Sequence, residues 1–356
     1  MHIILGGLNL PRPGSNSVNS VLLSVISNMG FTYSYEGVGD IFLNLDHSKR
    51  CLDNWNAKNE ESKPKVLIRL ETESVFPMQY SLKIESRYSK VYTLGTFDKS
   101  FSELELGFPY GPTINHCNQS ESLNFIEVFN QNKEDEIYST ANWNDRPKNV
   151  VFIGTNKILP KDNLYAVRRS FIRQELKNFS LELYGDLWIK ARFKRMKYLL
   201  RISLYLFKTR TPINPFRKLS WVFEEYAGAK GVVKDKLHLL KQSKFNLIIE
   251  NSSDFVTEKL FDAILCGTIP IYLGPVFHKD PLLEKALIRV TEAELLGSNL
   301  ELIIQRSGYS VESILESMTQ LMSSGQFVER WTAKGVFHSL LNDLVQYLKS
   351  VPIRVI

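Results

Sequence analysis

The sequence predicts an α/β protein made of two doubly wound, parallel-sheet domains. Three observations carry that prediction. From Asn149 to Pro275, short apolar runs alternate with helical patterns, strand after helix. An earlier, mixed region also opens on strand-like runs and continues through "SKVYTLG". Between the two, residues 130–149, "NQNKEDEIYSTANWNDRPKN", are polar and aperiodic, which marks a linker. The expected division is a first domain at 1–148 and a second at 149–356. With 356 residues, 44% of them hydrophobic, the chain is long enough for two cores.

The first domain begins with "HIILGGL", a buried strand, and "SVNSVLLSVISNMG", a helix ending on Gly30. "DIFLNLD", Lys65 to Glu71 and "SKVYTLG" follow as strands. In the second domain "NVVFIGT" is a strand and "LYAVRRSFIRQELK" a helix, then "LELYG" a strand. "KDKLHLLKQS" is a helix, "FNLIIEN" a strand and "TEKLFDAILCG" a helix stopped at Gly267. "IPIYLGP" is a strand with Pro270 near its start. Two further helical patterns occupy Ser310 to Ser350.

No run of about 18 apolar residues occurs, so no transmembrane helix is expected. "MHIILGGLNLPRPG" lacks the basic start of a secretory signal, and three scattered cysteines without a CxxC suggest reduced thiols. The expectation is a cytoplasmic protein. Six dispersed histidines and no apolar-flanked DxD triplet give no expected metal site.

The formal net charge of +6 points to an anionic partner. The excess is local. Residues 187–223 hold ten lysines and arginines and no acid, with Leu, Ile, Tyr and Phe between them. Such a basic amphipathic insertion suits an anionic membrane surface. The competing reading is a solvated insertion whose apolar face packs on its own domain. Nothing resembles a nucleic-acid-reading module, and no nucleic-acid partner is expected.

The densest chemistry lies in "FNLIIENSSDFVTEKLFDAILCGTIPIYLGP". In a doubly wound sheet, ligands bind at the carboxyl ends of strands, and Glu250 to Lys259 leaves its strand at such an end. The chain then enters a helix near Thr257, whose N-terminus favours phosphate. Lys259 in the first turn is unfavourable to the helix dipole, which suggests a nearby anion. Glu258 suits ribose hydroxyls, and Asn251 can donate and accept. Gly274 would let backbone approach a ligand.

These residues resemble the donor-binding motif of the alpha-1,3/1,4-fucosyltransferases, glycosyltransferase family 10. "GAKGVVKDKLHLLKQSKFNLIIEN" is similar to the helix and strand before that motif, and "AVRRSF" to an early helix whose arginine reaches a pyrophosphate. Arg168 aligns with that arginine better than Arg169. "VLIRLETES" resembles the family's strand-end E-x-E-S, whose first glutamate, here Glu71, acts as general base. Glu73, two residues on, would face the same way. The resemblance implies a GT-B fold, two Rossmann-like domains facing a cleft, GDP-fucose as donor and an inverting, metal-independent transfer to a glycan or glycolipid hydroxyl. It implies donor contacts from Arg168, Asn251, Phe255, Thr257, Glu258 and Lys259. The chain departs from the pattern in a short spacer and in Phe255, where the family has tyrosine. The spacing also creates Glu250-x7-Glu258, the pattern of retaining transferases with the same architecture. That enzyme, and a non-catalytic nucleotide-sugar-binding protein, are the alternatives.

Overall fold

The computed structural model describes residues 1–10, 17–70, 76–95, 109–112, 124–158, 164–177, 181–189, 192–208 and 215–350. The chain forms two compact units. The first comprises Met1–Gly111, Ser120–Ser122 and Ser324–Ile356, and the second Pro112–Gln119 and Leu123–Ser323.

The first unit is built on β1 (His2–Gly7), β2 (Thr32–Ser34), β3 (Ile41–Leu45), β4 (Lys65–Arg69) and β5 (Lys90–Thr93). They form one parallel sheet in the order β2-β1-β3-β4-β5. The second unit is built on β6 (Lys148–Ile153), β7 (Leu181–Tyr184), β8 (Ser243–Ile249), β9 (Ile269–Leu273) and β10 (Ile288–Arg289). These are also parallel, in the order β10-β9-β8-β6-β7. The two sheets share one winding. The first strand sits inside, the second on one flank, and the remaining three on the other. The winding therefore reverses between β1 and β3, and again between β6 and β8. At such a reversal the connections leave in opposite directions and open a crevice at the strands' carboxyl ends.

Every residue of β3 and of β9 is buried. That is the mark of parallel strands covered on both faces, and it explains why they are largely apolar, with buried Asn44 in β3 as the polar exception. Two strands were not anticipated, β2 and β10. They are three and two residues long, too short to show a periodicity.

The expected linker at 130–149 is corrected. It holds the second half of the helix Phe125–Glu134, the helix Thr140–Asn144 and the start of β6. It is fastened to the second unit by polar donors. Asn132 Nδ2 and the Tyr138 hydroxyl each donate to the Leu265 carbonyl at 2.7 Å. Trp143 Nε1 donates to the Lys244 carbonyl at 2.9 Å. The Arg146 guanidinium donates to the carbonyls of Ile137, Ser243, Cys266 and Gly267.

The expected boundary at 148/149 also differs at the other end of the chain. The helix Ala333–Ser350 belongs to the first unit. Val336, Phe337, Leu340, Leu341 and Leu344 fall on one helical face and share a core with Ile3, Leu5, Leu43, Val66 and Ile68. At its rim the Tyr92 hydroxyl donates to Asp343 at 2.6 Å, and Lys90 pairs with the same carboxylate.

Candidate functional site

The site stands at the β6/β8 reversal of the second sheet. Glu250 and Asn251 follow β8, and Gly154 and Thr155 follow β6, its hydrogen-bonded neighbour. Glu250 has no solvent exposure. Its Oε1 accepts the backbone N–H of Thr257 at 2.9 Å and the Tyr272 hydroxyl at 3.3 Å. Its Oε2 accepts the Thr257 hydroxyl at 2.7 Å. Lys259 Nζ donates to Thr257 Oγ1 at 2.9 Å and lies 4.0 Å from Glu250 Oε2. A relay thus runs from ammonium to hydroxyl to buried carboxylate. Burial pushes Glu250 above the usual carboxylate range, although Lys259 and Thr257 pull it down. Burial and the Glu250 charge together push the Tyr272 phenol up.

This arrangement accounts for a carboxylate in an apolar seam. Residues 251–256 form a loop, pinched by a bridge between Ser252 and Phe255. Glu250 binds the far end of that loop at Thr257. Thr257 is the N-cap of the helix Glu258–Leu265, yet its hydroxyl makes no capping bond. It is committed to Glu250 instead, so the first-turn N–H groups are left uncapped by it.

Arg168 lies on the helix Tyr165–Lys177 and is 1% exposed. Its Nη2 donates to the carbonyls of Ile249 and Glu250, and its Nη1 to that of Thr155 at 3.5 Å. The guanidinium stacks on Tyr165, 4.1 Å from the ring centroid. Its fork is therefore seated on backbone at the ends of β6 and β8, beneath the site.

Asn251 is half-buried, and its Oδ1 accepts the Tyr165 hydroxyl at 2.9 Å. Glu258 and Lys259 are half-buried in the helix's first turn. Phe255 is 2% exposed and belongs to the buried core. The structure thus brings Arg168, Asn251, Thr257, Glu258 and Lys259 to one sheet edge and sends Phe255 inward. Glu71 and Glu73 lie outside the described residues.

Gly274 behaves differently from expectation. A Cβ there would meet the Tyr272 hydroxyl at 2.5 Å and Glu250 Cγ at 2.7 Å. The space above it serves the Glu250 seat. Lys236, on the helix before β8, is buried against Asp262 on the helix Glu258–Leu265. Tyr165 and Tyr272 were missed. Each sits one helical turn or one strand repeat from a residue that was noticed, Arg168 and Gly274, and that spacing was the available signal. Among the described residues no group of three or more His, Cys, Asp and Glu is placed to hold a metal ion.

Two parallel α/β units with a ligand-ready edge at the second sheet's reversal define a GT-B architecture. Solved structures agree. An alpha1,3-fucosyltransferase with GDP superposes with TM-score 0.52 at 15% identity, covering 99% of this chain and 91% of that one. An alpha-glucosyltransferase in complex with UDP superposes with TM-score 0.50 at 13% identity, covering 97% and 99%. Sequence adds a likeness over part of the chain. Residues 222–292, the segment that carries the Glu250–Lys259 loop, match the model of glycosyltransferase family 10 (fucosyltransferase), C-terminal part. A fucosyltransferase-like protein of Arabidopsis thaliana is 44% identical over 43 residues. That alignment spans 12% of this chain and 8% of the relative's length.

Proposed function

We propose that the chain is a glycosyltransferase moving fucose from GDP-fucose to a hydroxyl of a glycan or glycolipid acceptor, with inversion. The observation that carries the donor reading is the placement of Lys259. Its ammonium stands in the first turn of an uncapped helix N-terminus, at the carboxyl edge where the sheet reverses. Backbone N–H groups and one cation there suit a diphosphate, whose charge grows as the glycosidic bond breaks. Glu258 would hold the ribose, and Asn251, fixed by Tyr165, would face the sugar or phosphate. Arg168 would shape the floor through the carbonyls it holds.

A sugar hydroxyl is a poor nucleophile, so a carboxylate must take its proton during attack. Glu71 is proposed for that task on the strength of the family motif. With Lys259 and the helix end offsetting leaving-group charge, turnover without metal and in the cytoplasm is part of the same proposal. The retaining alternative needs Glu250 at the reacting sugar. Its burial and its bonds to Thr257 and Tyr272 speak against that.

A donor screen tests the proposal. Calorimetry and hydrolysis assays with GDP-fucose, GDP-mannose, UDP-glucose and UDP-N-acetylglucosamine should single out GDP-fucose, with turnover unchanged by chelator. Preference for a uracil nucleotide, or a product with retained anomeric configuration, would overturn it. Binding without turnover on any acceptor would point to the non-catalytic reading.

A further inference from the structure

The segment that follows β7 carries a surface of unusual composition. It forms two helices, Arg192–Lys208 and Pro215–Phe223. One face of the first is fixed to its own unit. Arg195, 1% exposed, donates to the carbonyls of Leu187 at 2.9 Å, Trp188 at 3.2 Å and Trp221 at 3.0 Å. Leu199 packs in a buried cluster with Ile158, Leu187, Trp221 and Val222. The helix is therefore anchored, and its basic character does not all face water.

The other face is the anomaly. Phe193 is 94% exposed and Leu200 58% exposed. Lys197 and Arg201 are exposed as well. Steps of four, three and one residues put these four side chains on one stripe of the helix. On the second helix Leu219 and Phe223 are also exposed, at 37% and 56%. A solvated helix presents polar side chains outward and needs no phenylalanine there. Apolar side chains interleaved with cations are what an interfacial helix presents to lipid.

We infer that this face, centred on Phe193, Lys197, Leu200 and Arg201, docks the protein on an anionic lipid surface. Charge decides between occupants. Residues 187–223 contain no acid, so a second copy would meet the face with its own like charge. An anionic headgroup layer offers the opposite sign, and acyl chains below it accept phenylalanine and leucine. No helix among the described residues is long and apolar enough to cross a membrane, so the contact would be peripheral. The inference does not depend on the identity of the donor.

The test is sedimentation of the full chain with vesicles, without nucleotide. Phosphatidylglycerol-containing vesicles should bind it, pure phosphatidylcholine vesicles should not, and added salt should weaken the binding. F193E/L200E should bind about tenfold less or weaker still, and K197Q/R201Q should lose most of the salt-sensitive part. Because these side chains are exposed, both variants should melt with the parent. Equal binding to the two vesicle types would overturn the inference, as would F193E/L200E that melts normally and still binds. So would self-association without lipid that the same substitutions abolish, which would make the occupant a second copy.

Discussion

Thr257 is bonded twice to Glu250, through its backbone N–H at 2.9 Å and through its hydroxyl at 2.7 Å. The two residues bracket the loop 251–256, so one buried carboxylate fixes the loop, the start of the following helix and, through Thr257 Oγ1, the Lys259 ammonium. A site held this way is organised before a ligand arrives, and less ordering entropy is lost on binding.

Lys259 should matter to binding far more than to folding. Its side chain is 17% exposed and its one hydrogen bond goes to a hydroxyl that Glu250 also holds. Lys259→Gln should weaken GDP about 10–100-fold by calorimetry, the worth of one charge-assisted contact. The melting temperature should stay close to that of the parent.

Glu250 should leave a signature in the pH dependence of stability. Burial raises its folded value above the ordinary 4.5, against the pull of Lys259 and Thr257. An acid that protonates more readily when folded stabilises the fold at low pH. That contribution is complete below the unfolded value and is lost as pH rises toward the folded one. Glu250→Gln lacks it. Urea midpoints measured from pH 4.5 upward should therefore shift in favour of the variant relative to the parent. A gap that stays flat across this range would show that the carboxyl is not perturbed.

Arg168 separates a seat from a ligand contact. Lysine cannot reproduce a fork that reaches Thr155, Ile249 and Glu250 together. Arg168→Lys should cost about 2–4 kcal/mol of stability, through buried carbonyls left without donors. Loss of GDP affinity should come only with that loss. A variant that melts normally and yet fails to bind GDP would place the guanidinium on the diphosphate itself.

Arg146 should be a principal fastening of residues 124–148. Burial draws its guanidinium down to about 10, while four backbone carbonyls receive its hydrogen bonds. Arg146→Ala should destabilise the second unit by about 3 kcal/mol, read by denaturant titration. Exposed Glu134→Ala in the same segment should change stability by less than about 0.5 kcal/mol.

These outcomes bear on what the amino-acid order discloses. Strands such as Ile41–Leu45 and Ile269–Leu273 were legible because full burial demands a largely apolar run, even with Asn44 inside the first. The segment 130–149 was misread for the opposite reason. Asn132, Tyr138, Trp143 and Arg146 attach it by donating to backbone carbonyls, and hydrophobic periodicity carries no trace of such bonds. In the site, the Thr257-Glu258-Lys259 helix start was visible from residue type and position. The work of Glu250 was not, because its partner is seven residues away and is reached only when the loop closes. Arg168 and Arg195 show a related limit. Both are counted as positive charge in the sequence, and both are spent inside on carbonyls.

The helix Ala333–Ser350 completes a core whose strands were laid down more than two hundred residues earlier. During synthesis, Ile3, Leu43 and Val66 emerge long before Phe337 and Leu340 exist to cover them. The second unit, contiguous from Leu123 to Ser323, has no such wait. Order of manufacture and order of completion are thus reversed: the half made first is finished last, and the part of its sheet that the helix Val21–Asn28 leaves open is the surface a chaperone would meet on the nascent chain.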